Sequence, residues 1–244
     1  RINRIAPALV TVILTMYIVG AILLSPADII RFGKSAIYAM LGISNVFFWS
    51  EYGNYFTGNA SEAPLLHTWS LAVEEQFYVV WPLLIIALAK LSPRHMSSVL
   101  AAFTIGAVVA SEAGVNIAAS ASYYLLPTRF FELMMGGVLA LFVARHQCAS
   151  SVLSIASLIT GLSLIGGSLF LLDKSSSFPG ANAVWPCLGA ALIIWSGTNP
   201  HPIASVLTNR PMVFVGLISY SLYLWHWPII AFLNYSNIRI GPAI

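Results

Sequence analysis

The sequence predicts an all-α polytopic membrane protein, and three observations carry that expectation. The first is scarcity of charge. Only 8% of the 244 residues are Asp, Glu, Lys or Arg, against 59% hydrophobic residues and a mean hydropathy of +0.86. A water-soluble domain carries about 25% charged residues, so this chain has too few to cover itself in water. The second is the length of the apolar runs, several of which reach the roughly 20 residues a helix needs to cross the hydrocarbon core. The third is their punctuation by Pro-, Gly- or Ser-bearing joints at 25–26, 92–93, 175–180 and 199–202. A backbone amide in lipid must find its partner within its own segment, so such runs are helices.

Taken in order, the first run covers 5–25 behind Arg1 and Arg4. A shorter segment, 33–49 (GKSAIYAMLGISNVFFW), carries Lys34, Ser44 and Asn45. Runs at 68–90, 96–115, 128–144, 151–172, 183–198 and 212–234 follow. Basic residues gather at the cytoplasmic ends of spans, which places Arg1 and Arg4, Lys90 and Arg94, Arg145, and Arg210 inside. Asp28, Glu51, Glu62, Glu112 and Asp173 then fall in the opposite loops. With 5–25 running outward and Lys90 inside, 33–49 cannot cross as well. The expectation is about seven full transmembrane helices plus one partial or re-entrant segment, with the 50–66 loop outside. Gly136–Gly137 and Gly166–Gly167 are expected to allow close helix contact.

Several function classes drop out. The net charge is +3 and the eleven basic residues are dispersed, so no nucleic-acid partner is expected. Cys148 and Cys187 have neither metal-ligand spacing nor a disulfide framework, and the five histidines are scattered, so no metal site is expected. No internal repeat or signal peptide is visible. Because it opens on Arg1 rather than Met, the chain reads as a fragment of a longer one.

The stretch PLLHTWSLAVEEQFYVVWPLLIIALAK, residues 64–90, concentrates the chemistry. On a helix beginning near His67, positions 67, 70, 74, 78 and 81 share one face, reading His67, Ser70, Glu74, Tyr78 and Trp81. Glu75 lies about 100° round the helix. Ala72, Val73, Val79 and Val80 are left for lipid. Such a stripe points toward other helices. Ionisable groups within a span are costly and tend to mark substrate pathways or proton relays, and a carboxylate there suits general acid or base work. The plainer alternative makes His67 an interfacial cap and Trp69 and Trp81 belt anchors.

Two further groups stand out. Pro127 opens a helix on which Arg129 and Glu132 are one turn apart and able to pair. Arg129 also suits an anionic group such as a pyrophosphate, although the orientation above puts it on the outer side. Tyr220, Tyr223 and Trp227 share a helix face, a pattern that more often reflects packing than chemistry. His226 sits one turn after Tyr223, deep in an apolar run.

Two phrases, LLHTWSLAVEEQFYVVWPLL (65–84) and GLISYSLYLWHWPII (216–230), carry a family resemblance. RINRIAPAL (1–9), SNVFFW (44–49) and PTRFFELMMGG (127–137) agree more weakly. In that order, and over essentially the whole chain, the sequence resembles the membrane acyltransferase-3 family. That family includes O-antigen acetylases and the membrane halves of peptidoglycan O-acetyltransferases. The resemblance implies an O-acetyltransferase of the bacterial inner membrane. Such an enzyme moves an acyl group, usually acetyl, from a cytoplasmic acyl-CoA such as acetyl-CoA to a carbohydrate hydroxyl outside. It implies no permanently bound cofactor, a bundle of roughly ten helices, and a lipid bilayer and cell-surface glycan as partners. The chain would be one acyltransferase-3 membrane domain, 1–244, lacking its N-terminal helices and its last helix.

The family's main catalytic histidine lies upstream of Arg1, so none of the five histidines inherits that role. Glu74, Glu75 and His67 remain as catalytic candidates, either orienting that base or holding the acceptor hydroxyl. Arg129 is the candidate for the donor's pyrophosphate, and Tyr78, Glu132 and His226 are candidates for substrate contact. The competing class is a proton-coupled transporter, which also embeds Glu, Arg and His. Against it stands the lack of paired broken helices in two matching halves.

Overall fold

The computed structural model describes residues 2–53, 55, 58–92, 94–148, 150–173, 176–199 and 205–236. Their helices in order are α1 (Ile2–Leu23), α2 (Pro26–Met40), α3 (Ser44–Tyr52), α4 (Gly58–Ser61), α5 (Thr68–Leu91), α6 (Met96–Tyr124), α7 (Leu126–Val143), α8 (Ser151–Leu171), α9 (Val184–Ser196), α10 (Ser205–Thr208) and α11 (Arg210–Tyr235). A 3-10 turn, Gly180–Ala183, leads into α9. Among the described residues there is no strand. Six of these helices (α1 from Ile5, α5, α6, α7, α8 and α11) are long and apolar enough to cross a membrane. Large side chains such as Ile117, Phe170 and Leu91 point outward, more than 80% exposed, as helices solvated by hydrocarbon require.

The chain divides into two compact units, residues 1–76 with 215–244, and residues 77–214. In the first unit the segment after α1 is a helical hairpin. Ser25 caps α2, its hydroxyl accepting from the Asp28 amide at 3.2 Å, with Pro26 at the first helical position and Asp28 in the first turn. All three suit a helix N-terminus. The hairpin turns at Gly42, whose φ of +68° lies in the left-handed region open to glycine. There the carbonyl of Gly42 accepts from Gln76 Nε2 at 3.0 Å. Gln76 and Asn45 exchange amide hydrogen bonds at 2.8 and 3.4 Å, and Ser44 donates to the carbonyl of Thr68 at 2.9 Å. Ser44 and Asn45 of the expected partial segment are thus its apex contacts. At about 1.5 Å per residue the arms are roughly 22 and 13 Å long, and neither can cross. Back at the open end, Arg31 in α2 meets Glu51 in α3 at 3.2 Å.

At that end Tyr235 of α11 accepts from the Ser25 amide at 2.9 Å and donates to Asp28 at 3.0 Å. Asn234 donates to the carbonyl of Ser61 at 3.3 Å. The α1–α2 joint, the segment before α5 and the end of α11 therefore meet, as the sequence parity requires.

In the second unit α6 packs on α7, α8 on α9, and α7 on α9. Phe77, Leu88, Leu100 and Met134 form the buried cluster, with Trp81 packed against it. Lipid tails are as apolar as these side chains, so helix association here rests on fit rather than on expulsion of water. Two contacts show it. The indole of Trp81 lies so close to Gly137 that any Cβ there would collide with the ring. Gly161 of α8 and Gly189 of α9 face each other so closely that a Cβ on Gly161 would come within 2.6 Å of the Gly189 carbonyl oxygen, and one on Gly189 within 2.7 Å of the Gly161 carbonyl oxygen.

The expected glycine contacts need correction on this point. Gly136, Gly166 and Gly167 have nothing within 4 Å of a built Cβ, so of the two expected pairs only Gly137 makes a close approach. The run at 183–198 forms a 13-residue α-helix behind its 3-10 turn, roughly 20 Å long and short for a full span. The run at 96–115 continues to Tyr124, past a break in helical geometry at Ala118 (φ −149°, ψ 71°).

Candidate active site

The residues before α5 are buried without a break from Ala63 to Trp69. They are wound as successive tight turns, in which Ala63 bonds back to Ala60, Leu66 to Ala63 and Thr68 to Leu65. The aromatic stripe of α11 adds further donors to the carbonyls of these turns. Trp227 Nε1 donates to the Ala63 carbonyl at 2.9 Å and the Tyr223 hydroxyl to the His67 carbonyl at 2.7 Å. Ser70 Oγ and the Tyr223 hydroxyl share a bond of 2.5 Å. Tyr220 donates to the Ile5 carbonyl of α1 at 3.2 Å. The stripe is a clamp that fixes the start of α5, in line with the packing reading of its spacing.

His67 sits inside that clamp, 3% exposed. Its ring lies 5.4 Å from Tyr223 and 5.9 Å from His226, centroid to centroid. Neither ring nitrogen has a hydrogen-bond partner. Burial, reinforced by the neighbouring His226, pushes its pKa from 6.5 down to about 3, opposed only in part by the backbone of Leu224. His67 is therefore a neutral imidazole. The His226 ring is exposed and its Nδ1 lies 2.7 Å from the Tyr223 carbonyl, which requires the proton on Nδ1.

The expected inward stripe of α5 is corrected. Helix geometry starts at Thr68, so His67 belongs to the turn before it. The buried positions at the start of α5 are Trp69, Ala72, Val73 and Phe77, and both Glu74 and Tyr78 are exposed. Glu75 is half-buried, with its carboxylate against the Cα of Gly42 at the hairpin apex.

In the second unit Arg129 and Glu132 pair as their spacing predicts, Nη1 to Oε1 at 3.2 Å. The guanidinium is 7% exposed on the residue scale and donates through Nε to the Tyr123 carbonyl at 2.9 Å. Its Cζ stands 4.7 Å from the Tyr123 ring centroid and 4.9 Å from that of Phe178. A cation within reach of two aromatic rings is stabilised by both. Phe178 is held there by the loop beyond it: Ser111 Oγ accepts from the Gly180 amide at 3.2 Å, and Glu112 accepts from the Ala181 amide at 2.7 Å. Tyr123, Phe178 and Ser111 were not singled out by sequence spacing, and Glu112, expected in an outer loop, lies within α6. The glycine-proline joint at 175–180 was the one visible sign that this loop mattered.

Helices of membrane-spanning length, a polar hairpin ending on one of them, and carboxylates beside its apex define a multi-pass membrane protein with ionisable groups built into its helices. Residues 1–242 match the acyltransferase-3 model, described as an acyltransferase domain, and the chain belongs to that family. It is similar to an O-acetyltransferase OatA of Staphylococcus aureus, 32% identical over 253 residues, covering 96% of this chain and 40% of the relative. It is also similar to a putative membrane-bound transacylase BcsY of Komagataeibacter xylinus, at 28% identity over 96% of this chain and 59% of the relative. A peptidoglycan O-acetyltransferase OatA of Listeria monocytogenes is 28% identical over 94% of this chain and 39% of the relative. The chain thus spans about two fifths of the length of the Staphylococcus and Listeria relatives. No solved structure matches it.

Proposed function

We propose that the full-length protein is an integral membrane O-acyltransferase that moves an acyl group, in practice acetyl, from a cytoplasmic acyl-CoA to a hydroxyl of an extracytoplasmic carbohydrate. The observation that carries this reading is the family match across 1–242, together with 32% identity to a named O-acetyltransferase over 96% of the chain.

In the reaction the acceptor oxygen bonds to the thioester carbonyl carbon, the hydroxyl proton passes to a base, and the carbon–sulfur bond breaks to release the CoA thiol. The base that the resemblance implies is a histidine outside these 244 residues. Glu74 and Glu75 supply carboxylates next to one another on α5, and Glu75 is braced against the hairpin apex. They suit orienting that base or accepting a hydrogen bond from the acceptor hydroxyl. His67 is too enclosed to reach a substrate, and it is its main-chain carbonyl, bonded by Tyr223, that fixes the turn before α5. Arg129 has its guanidinium committed to Glu132, Tyr123 and Phe178, which favours a structural role over contact with the donor's pyrophosphate.

The test is acetyl-dependent labelling of surface glycan in cells making the full-length protein. With acetyl-CoA labelled in its acetyl group, membranes should transfer base-labile acetate to added glycan. Transport of label without an ester product would overturn the reading in favour of a carrier.

A further inference from the structure

At the open end of the hairpin the first unit encloses a cavity of about 170 Å³. Asp28, Arg31 and Glu62 supply its charge, and Phe48, Tyr52 and Tyr235 its ring surfaces. We propose that this cavity is the subsite for one sugar ring of the acceptor glycan, an inference that rests on the O-acyltransferase reading above.

The polar groups are fixed in advance. The Asp28 carboxylate accepts from Ser25 Oγ at 2.6 Å and from the Tyr235 hydroxyl at 3.0 Å. Arg31 is strung between two acids, Nη1 at 3.4 Å from Asp28 and Nε at 3.2 Å from Glu51. The Ser25 hydrogen bond holds Asp28 below the usual carboxylate range against the cost of burial, with Tyr235 and Arg31 helping. It stays an acceptor. Burial pushes the Tyr52 hydroxyl up, aided by the Glu51 charge, so it stays a protonated donor.

Each sugar hydroxyl both donates and accepts, and this lining offers both: carboxylates to receive, guanidinium and phenol to give. Tyr52 stacks on Phe48 with ring centroids 6.1 Å apart, an apolar surface for the C–H face of a ring. Two carboxylates and one guanidinium leave the lining with one negative charge in excess. That excess disfavours an anion such as the pyrophosphate of a nucleotide donor or an acidic lipid headgroup. The volume falls short of the roughly 300–1,000 Å³ of drug-sized pockets, so it admits one ring rather than a chain. The cavity also lies at the end of this unit that carries Asp28, Glu51 and Glu62, the end that the basic-residue rule puts outside the cytoplasm.

The experiment uses the full-length protein in nanodiscs, with N-acetylchitotetraose and cellotetraose as glycan probes. Saturation-transfer NMR should show binding of at least one of them. Glu62→Gln, Arg31→Gln and Tyr52→Leu should weaken it at least tenfold. Glu62 is exposed, so its isosteric variant tests the site without disturbing the cap on α2. In the transfer assay the acceptor KM should rise at least tenfold in these variants, with kcat changing far less. Transfer with unchanged binding and KM in all three variants would overturn the subsite while leaving the acyltransferase reading intact, and so would absence of binding by the unaltered protein. Glycan binding that the variants abolish, in a protein that transfers no acyl group, would support a sugar site and overturn the enzyme reading instead.

Discussion

The most informative single residue is His67. A buried imidazole whose nitrogens find no well-formed hydrogen bond, with only the Leu224 backbone near, costs about 1–3 kcal/mol relative to a well-paired one, and an apolar replacement removes that cost. His67→Leu should therefore leave the protein folded. It should also change its pH response. A folded pKa of about 3 against 6.5 unfolded means the unfolded chain binds more protons between those values. Stability from this group is then fully present above pH 6.5 and is lost as the pH falls toward 3. Melting of the detergent-solubilised protein across that window should show a fall of several degrees in the unaltered chain, at about 2–4 °C per kcal/mol for this size, and a shallower fall in His67→Leu. Equal slopes would mean that another group dominates. Glu74 and Glu75 carry the opposite expectation. Glu74→Gln or Glu75→Gln in the full-length protein should cut glycan O-acetylation at least tenfold, about 1.4 kcal/mol of barrier, at unchanged membrane abundance. Wild-type rates in both variants would reduce the pair to a helix start, and loss of both proteins from the membrane would make the carboxylates structural.

For the helices, what could be read in advance and what could not divides along one line. A span announces itself by local composition, so α1, α5, α7, α8 and α11 were legible, and so was the weak segment 33–49 with Ser44 and Asn45. Which face of a helix turns inward depends on partners far along the chain. The stripe from His67 to Trp81 was drawn from periodicity alone, and the folded chain buries a different face, that of Ala72 and Val73. The close glycine contact was expected at doublets and lies instead at Gly161 and Gly189, 28 residues apart on separate helices. Gly161→Leu or Gly189→Leu should therefore lower the melting temperature of the solubilised protein clearly, because backbone stands in the way of the new side chain. Gly166→Leu should leave it nearly unchanged. A similar loss from all three would show that glycine count rather than contact governs this pair.

Over the molecule as a whole, membrane sidedness follows from the count of crossings. If α2 and α3 enter and return, single cysteines at Ala27 and Glu62 should react with an impermeant maleimide from the same side, and one at Ser97, beyond α5, from the other. Ala27 and Glu62 reacting from opposite sides would mean that the hairpin crosses. The candidate site was less legible than the spans because its parts come from distant stretches. His67 is held by α11, Glu75 touches Gly42, and Arg129 is covered by Phe178. Each of these pairings is created by folding rather than by neighbouring letters.

The apex of the hairpin also bears on how the chain is made. Asn45 finds its amide partner in Gln76, 31 residues later, and Ser44 bonds to Thr68. While the ribosome is still synthesising α3, those partners do not exist, and lipid offers nothing in their place. Residues 26–52 must then wait at the water interface until α5 has emerged and entered the bilayer, and only afterwards fold in against it. The order in which segments enter the membrane is therefore not the order in which they are translated, and α5 acts as the template on which an earlier part of the chain is assembled.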